Sequence, residues 1–485
     1  MTALRNIDAR TWQAFAEALG RGEGELLALF GDEGRVHMIV HDPDTSAVEI
    51  LAVAVENGRY PSVGAHHAPA IRLERAIRDL FGYEPEGLKD TRPWLDHGAF
   101  DIGVPLGARS AASRQAAYEF LPAEGEGLHQ IPVGPVHAGI IEPGHFRFTE
   151  SGETIVRLEQ RLGYVHKGVE SLMAGAKLEH AAQLAGRVSG DSTVAYQFAF
   201  ARAAEMALGV EAPPRAVHLR ALMAELERIA NHLGDFGAIC NDASFTLIHA
   251  HCGILREHVL QAADFCFGHR LMRDRIAPGG VTADLTGEGV ARLRALVAEI
   301  GPRFRELYDF YDGTTSLLDR TVTTGIVAPD LVRRFAPGGY VGRAAGRDFD
   351  ARRDLAYAPY GSLSFVVASY SAGDVDARLR VRADEIAASI SLVSQIIDTL
   401  PDGDVRAKLP AARPQREGLG IVEGFRGDVL VYLRLAADGT VARCHPRDPS
   451  WFQWPLLEAA VEGNIVADFP LCNKSFNCSY SGHDL

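Results

Sequence analysis

Six thiols, Cys240, Cys252, Cys266, Cys444, Cys472 and Cys478, are the softest ligands in the chain. No two form a C-x-x-C pair, and six in 485 residues make no disulfide framework. They are expected to be reduced and mostly buried. His249, His251, Cys252 and His258 crowd one stretch whose apolar spacing is helical. Residues two apart on a helix point to different faces, so His249 and His251 cannot share an ion without unwinding it. His251 and His258 share a face but lie two turns apart. Packed histidines, and no metal, are the expectation there. His137 sits in the turn-like Gly134-Pro135-Val136-His137, where a structural and a functional imidazole are both plausible readings. Gly279–Leu285 matches neither a P-loop nor a dinucleotide fingerprint.

The elements that must position these groups follow from periodicity. The spacing predicts helices over 9–20 and 68–81 and strands over 36–40 and 48–55, a small α+β unit. Residues 99–130 carry little periodicity and read as a connector. Strand-like pieces at 131–140 and 145–149 then precede helical patterns at 153–173, 178–208, 215–235, 245–270, 287–312 and 376–399, long enough for a bundle. A strand signal at 428–435, a short helix near 454–461 and an irregular tail complete the chain. Lys and Arg total 49 against 63 Asp and Glu, a formal net charge of −14. That excludes binding nucleic acid through its phosphates. No run reaches the roughly 18 apolar residues of a spanning helix, and the N-terminus lacks a signal-peptide core. A cytoplasmic protein with no membrane span of its own is expected.

Ordered motifs cover nearly the whole length. The stretch ERAIRDLFGYEPEGLKDTRPWL at 74–95 resembles the small hydrophilic partner subunit of respiratory complex I. From GPVHAGIIEPGHFRF at 134–148 onward, the chain resembles the large quinone-site subunit of that complex and the large subunit of membrane-bound nickel–iron hydrogenases. GYVHKGVE at 163–170, ELERIANHL at 225–233, PGGVTADL at 278–285, VGRAAGRDFDARRD at 341–354, GDVDARLRVRADEI at 373–386 and EGFRGD at 423–428 carry that likeness. Both modules in one polypeptide resemble the large subunit of formate-hydrogenlyase-type complexes. The resemblance implies an α+β domain over 1–98, a connector over 99–130 and, over 131–485, a mainly α-helical bundle domain with small peripheral β-sheets, as in the hydrogenase large subunit.

Hydrogenases of this family hold nickel and iron on four thiolates from two C-x-x-C pairs. The resemblance places the first pair at Ser189 and Ser192, in Arg187-Val188-Ser189-Gly190-Asp191-Ser192, and the second at Ser479 and Gly482. Serine offers a hard, weakly acidic oxygen where soft deprotonated sulfur is needed, so no nickel–iron centre is expected. Cys472 and Cys478 fall out of register. Relatives that receive nickel carry a C-terminal extension clipped after metal insertion; none follows Leu485, as expected for an apo site. The complex I likeness places the quinone-binding tyrosine at Gly190 and the quinone-side histidine at Glu142 or Pro143, so a quinone site would need other donors. Glu142 matches the glutamate that passes protons beside the nickel, and Arg426 the arginine suspended over it. Together with His137 they are the candidate catalytic groups. Ser189, Ser192, Ser479 and Gly482 are the expected lining of the emptied pocket.

The resemblance implies a large subunit of a complex I-like, hydrogenase-related oxidoreductase without nickel. It would hold no cofactor itself, with a quinone as the candidate ligand of the pocket. Electrons would come from an iron–sulfur cluster in a neighbouring small subunit and drive ion translocation. A ferredoxin-like subunit and integral membrane subunits complete the expected partners, in an NADH-quinone oxidoreductase- or hydrogenase-like assembly with its associated NAD and quinone binding, on the cytoplasmic face of the inner membrane. The alternative is a non-catalytic subunit linking the iron–sulfur and membrane arms; a quinone-reducing subunit as in complex I, or an active hydrogenase, ranks below both.

Overall fold

The computed structural model describes residues 4–98, 102–107, 110–111, 118–137, 141–410 and 417–485. About a third of the expected connector, and residues 138–140 of the strand expected over 131–140, lie outside the described residues. Near the N-terminus, β1 (Arg5–Ile7), α1 (Ala9–Arg21), β2 (Glu25–Asp32), β3 (Arg35–Asp42) and β4 (Ala47–Ala54) form a sheet in the order β1-β4-β3-β2 covered by helix. The Asp8 carboxylate accepts the Thr11 N–H at 2.7 Å and starts α1; Gly22, at φ 81°, ends it. Trp12, Ala16 and Leu19 form its buried face. Helix α2 (Ile71–Phe81) closes on Gly82 in the same left-handed conformation.

β2 has no counterpart among the expected strands, and its burial explains why. Leu27, Ala28 and Phe30 pack on Leu419, Ile421, Leu430 and Tyr432 of a sheet near the other end of the chain, while Leu26 and Leu29 face the Trp12 side. A strand buried on both faces shows no polar alternation.

The second sheet, β5 (Leu128–Val133), β6 (His145–Ser151) and β7 (Thr154–Arg161), is antiparallel in the order β7-β6-β5. It corrects the helix expected over 153–173: that stretch is β7, a loop and the short helix Val169–Met173. Ile155, Leu158 and Leu162 have helical spacing, but a bulge at Thr149/Glu150 shifts the register, and Glu159, Gln160 and Arg161 are buried as well. Pairing with β6, not local periodicity, decides the conformation. The continuous helix expected over 178–208 is also corrected. It is two helices, α3 (Leu178–Ala185) and α4 (Thr193–Leu208), separated by a turn.

The bundle consists of α4, α5 (Pro214–Asp242), α6 (Thr246–Phe267), α7 (Gly287–Asp312) and α8 (Val375–Asp398). Helix α5 packs on α6 and α8, and α6 on α7. Helix α4 lies on the third sheet, β8 (Glu417–Gly424), β9 (Gly427–Leu435) and β10 (Val441–Arg447), at a separation only glycine permits. A Cβ on Gly418 would stand 1.9 Å from the Ala203 carbonyl oxygen, and one on Gly420 1.9 Å from that of Ala199. The short helix expected near 454–461 is α9 (Ser450–Ala460), and the tail after it, expected to be irregular, forms two more helices, α10 (Phe469–Phe476) and α11 (Tyr480–Asp484). No helix among the described residues is long and apolar enough to cross a membrane.

Candidate functional site

Three segments meet at one point: the turn between α3 and α4, the tight connection from β8 to β9, and the start of α11. The first turn of α4 exposes backbone N–H groups that no local side chain caps. Glu227, reaching across from α5, accepts Val194 N–H at 2.7 Å and Ala195 N–H at 3.1 Å. That fixes the start of α4 and the turn Ser189–Ser192 before it. At the tail, Ser479 is the N-cap of α11: its hydroxyl accepts the Gly482 N–H at 2.9 Å, and its own N–H donates to the Ser450 hydroxyl at 2.8 Å. The carbonyl of Leu485 accepts N–H bonds from Lys167 at 2.7 Å and Gly168 at 3.1 Å, which seats the tail against the loop after β7.

These segments bring Ser189, Ser192, Ser479 and Gly482 together, and their own groups bond one another there. Ser189 Oγ and Ser479 Oγ are 3.0 Å apart, and Ser189 donates to Asp191 Oδ1 at 2.7 Å. Arg426, buried at the β8–β9 connection, grips Asp191 with both terminal nitrogens; Nη1 reaches Oδ1 at 2.9 Å and Ser192 Oγ at 3.2 Å. Its Nε donates to the Asn477 carbonyl. A bidentate pair of this kind is among the stronger and more directional contacts. Burial alone would raise the Asp191 carboxyl, but the Arg426 guanidinium and the Ser189 hydroxyl reverse this and hold it at about 2.

Glu142 does not meet Arg426. It is an exposed residue whose Oε2 accepts the Ser481 N–H at 3.0 Å. The carboxylate opposite the guanidinium is Asp191, which lay inside the Arg187–Ser192 motif; no local signal assigned it the pairing, because its partner stands 235 positions away. His137 is half-buried in the loop after β5, its ring 5.9 Å from that of Phe146 and packed against Gly134. Burial pushes its imidazole below the ordinary range.

A nickel–iron centre does not fit these residues. Ser189 and Ser479 are hydroxyls bonded to each other, and Ser192 is held by Arg426. A Cβ at Gly482 would stand 2.3 Å from Asp448 Oδ2, a carboxylate already bound by the Tyr196 hydroxyl at 2.6 Å. Burial pushes the Cys478 thiol up and leaves Cys472 at about 11, so neither is a ready thiolate. Among the described residues, no three His, Cys, Asp or Glu side chains are grouped to hold a metal ion. Helix α6 runs unbroken through His249, His251 and Cys252, and His258 pairs with Glu299 at 3.0 Å.

Behind the β8–β9 connection lies a buried charge cluster that periodicity did not reveal. Arg343 bonds Glu423 Oε1 at 2.9 Å and Glu385 Oε1 at 3.0 Å, and Glu385 Oε2 is 2.7 Å from His232 Nε2. Arg352 bridges Asp350 at 2.7 Å and Glu225 at 3.1 Å. Its residues come from four of the motifs, at 225–233, 341–354, 373–386 and 423–428, which together position the Arg426 turn.

The sequence signature described as respiratory-chain NADH dehydrogenase, 49 Kd subunit, matches residues 244–419. Formate hydrogenlyase subunit 5 of Escherichia coli K12 is 30% identical over 483 residues, 95% of this chain and 85% of that protein. The fused C/D polypeptide of NADH-quinone oxidoreductase from Phocaeicola vulgatus is 30% identical over 439 residues, 84% of each. The membrane-bound hydrogenase subunit alpha of Pyrococcus furiosus is 29% identical over 370 residues, 72% of this chain and 85% of that one. Likeness at this level runs through both the N-terminal sheet and the bundle, so the chain belongs to the fused, complex I-like family of hydrogenase and NADH-quinone oxidoreductase subunits.

Proposed function

We propose that this chain is the large subunit of a complex I-like, membrane-attached oxidoreductase that works without nickel. It takes part in electron transfer from a neighbouring iron–sulfur subunit, coupled to ion translocation by a membrane arm. The observation that carries the reading is the centre itself: Ser189, Ser192, Ser479 and Gly482 at the four ligand positions, with the Arg426–Asp191 pair bonded across them. Hydroxyls and a charged pair handle protons and hydrogen bonds, not low-valent metal. Glu142, exposed and tied to the tail, and Asp191, whose side chain is 36% exposed, are the groups of this set in contact with solvent. A quinone or another small acceptor would have to displace the Arg426–Asp191 pair or bind beside it.

The closure of the same centre favours one other reading, a linking subunit without chemistry of its own. Purification of the native assembly separates the two. The expected result is copurification with an iron–sulfur subunit and multi-spanning membrane subunits, nickel far below one per chain, and quinone-dependent oxidation of the clusters. Nickel near one per chain with hydrogen uptake would overturn the proposal. Intact assembly without any cluster oxidation would leave the linking role.

A further inference from the structure

Glu227 has a duty beyond capping α4. The residue is 8% exposed, and both carboxyl oxygens accept backbone N–H groups of α4. Among the described residues, no guanidinium is hydrogen-bonded to it. Arg228, its neighbour on α5, turns instead to the Gly424 carbonyl at 3.0 Å and the Glu423 carbonyl at 2.8 Å. Beside Glu227 is a small cavity of about 10 Å³, room for one water, which Asp191 also lines. Asn231 bridges the two residues' backbones, donating to the Asp191 carbonyl at 2.8 Å and the Glu227 carbonyl at 2.9 Å. The charged groups facing this space are Asp191 from the turn before α4, Arg256 from α6 and Arg270 from the loop after it, the last paired with Glu257 at 2.7 Å.

Two carboxyls on one cavity are thus given opposite environments, one clamped by a guanidinium and one left with backbone donors alone. Environments that differ in this way divide acid from base. We infer that Glu227 is the proton-holding residue of this centre, with Asp191 as its exchange partner, an inference that rests on the proton-handling reading above. While Arg426 grips Asp191, the proton stays on a Glu227 oxygen. Release of Arg426 makes the two carboxyls comparable, and the proton crosses to an Asp191 oxygen. One O–H bond breaks, one forms, and no electron moves. Burial pushes Glu227 up, the two N–H bonds pull it partly back, the Asp191 charge adds to the rise, and it settles at about 8.

The test is infrared titration of the full-length chain, with Glu227→Gln and Asp191→Asn beside wild type. Expected in wild type is a protonated-carboxyl band at neutral pH that is lost with a midpoint near 8 and is missing from Glu227→Gln. Difference spectra isolate it from other raised carboxyls such as Glu74 and Glu423. In Asp191→Asn the midpoint should fall by about one unit or more, because a like charge is gone and Arg426 is left unpaired. A mere helix cap would ignore that change. Stability gives a second readout. A carboxyl raised in the folded state favours folding below its unfolded value of 4.5, an advantage lost as pH rises towards 8, so wild type should lose Tm relative to Glu227→Gln across that window. The same band in Glu227→Gln as in wild type, or a midpoint unmoved in Asp191→Asn, overturns the inference. If Glu227→Gln fails to fold, the Asp191→Asn titration decides. Stoichiometric nickel in the native assembly would sink the proposed function without altering these spectra, so the two failures are distinguishable.

Discussion

Glu385→Ala is expected to cost about 3–5 kcal/mol of folding free energy, the usual penalty for stripping one partner from a buried ion pair. Glu385 holds Arg343 and His232 together, and all three side chains are shielded from water. Without it, the Arg343 guanidinium keeps Glu423 and the Phe349 carbonyl at 2.9 Å each but loses one of the carboxylates that offset its desolvation. The damage should spread, since Glu423 also accepts the Ala351 N–H at 2.9 Å and lies three residues before Arg426. Denaturant unfolding of the purified chain checks the magnitude. A loss below about 1 kcal/mol would mean that water enters the cluster and that it does little to hold the β8–β9 connection. Truncation of exposed partners such as Glu257, bonded to Arg270, should by contrast stay within about 1 kcal/mol.

The second large effect concerns turnover. If the centre relays protons, Asp191→Asn and Glu142→Gln should each lower coupled electron transfer by about two to four orders of magnitude, the usual contribution of a positioned acid or base. They act through different contacts. Asn at 191 keeps the shape but removes the charge that Arg426 grips and that lies beside Glu227. Gln at 142 keeps an acceptor for the Ser481 N–H and only removes the ability to ionise. Assembly with partner subunits is the control, and it should survive Glu142→Gln unchanged. Unaltered turnover in both variants, measured on the native assembly, would reduce these residues to scaffolding and favour the linking role.

Some of this could be read along the chain. The long helices at 214–242, 246–267, 287–312 and 375–398 announce themselves because each carries its apolar stripe over many turns, and nothing else can bury it. The missing thiolates were equally legible once the family resemblance marked the four positions: residue type alone then shows Ser189, Ser192, Ser479 and Gly482 where it implies cysteines. What the tertiary structure alone decided is everything that depends on a partner far away in sequence. Residues 154–161 become a strand because His145–Ser151 is there to pair with them, and the 178–208 pattern breaks because Glu227 supplies a second helix start at Val194. The same holds for charge. Sequence matching placed Glu142 and Arg426 at one emptied site, but a guanidinium pairs with whichever carboxylate the fold delivers within hydrogen-bond reach, and the turn before α4 delivers Asp191. Residue type fixes which chemistry is available at a position; only packing fixes which charges share a cavity, and desolvation there sets which of them keeps its proton.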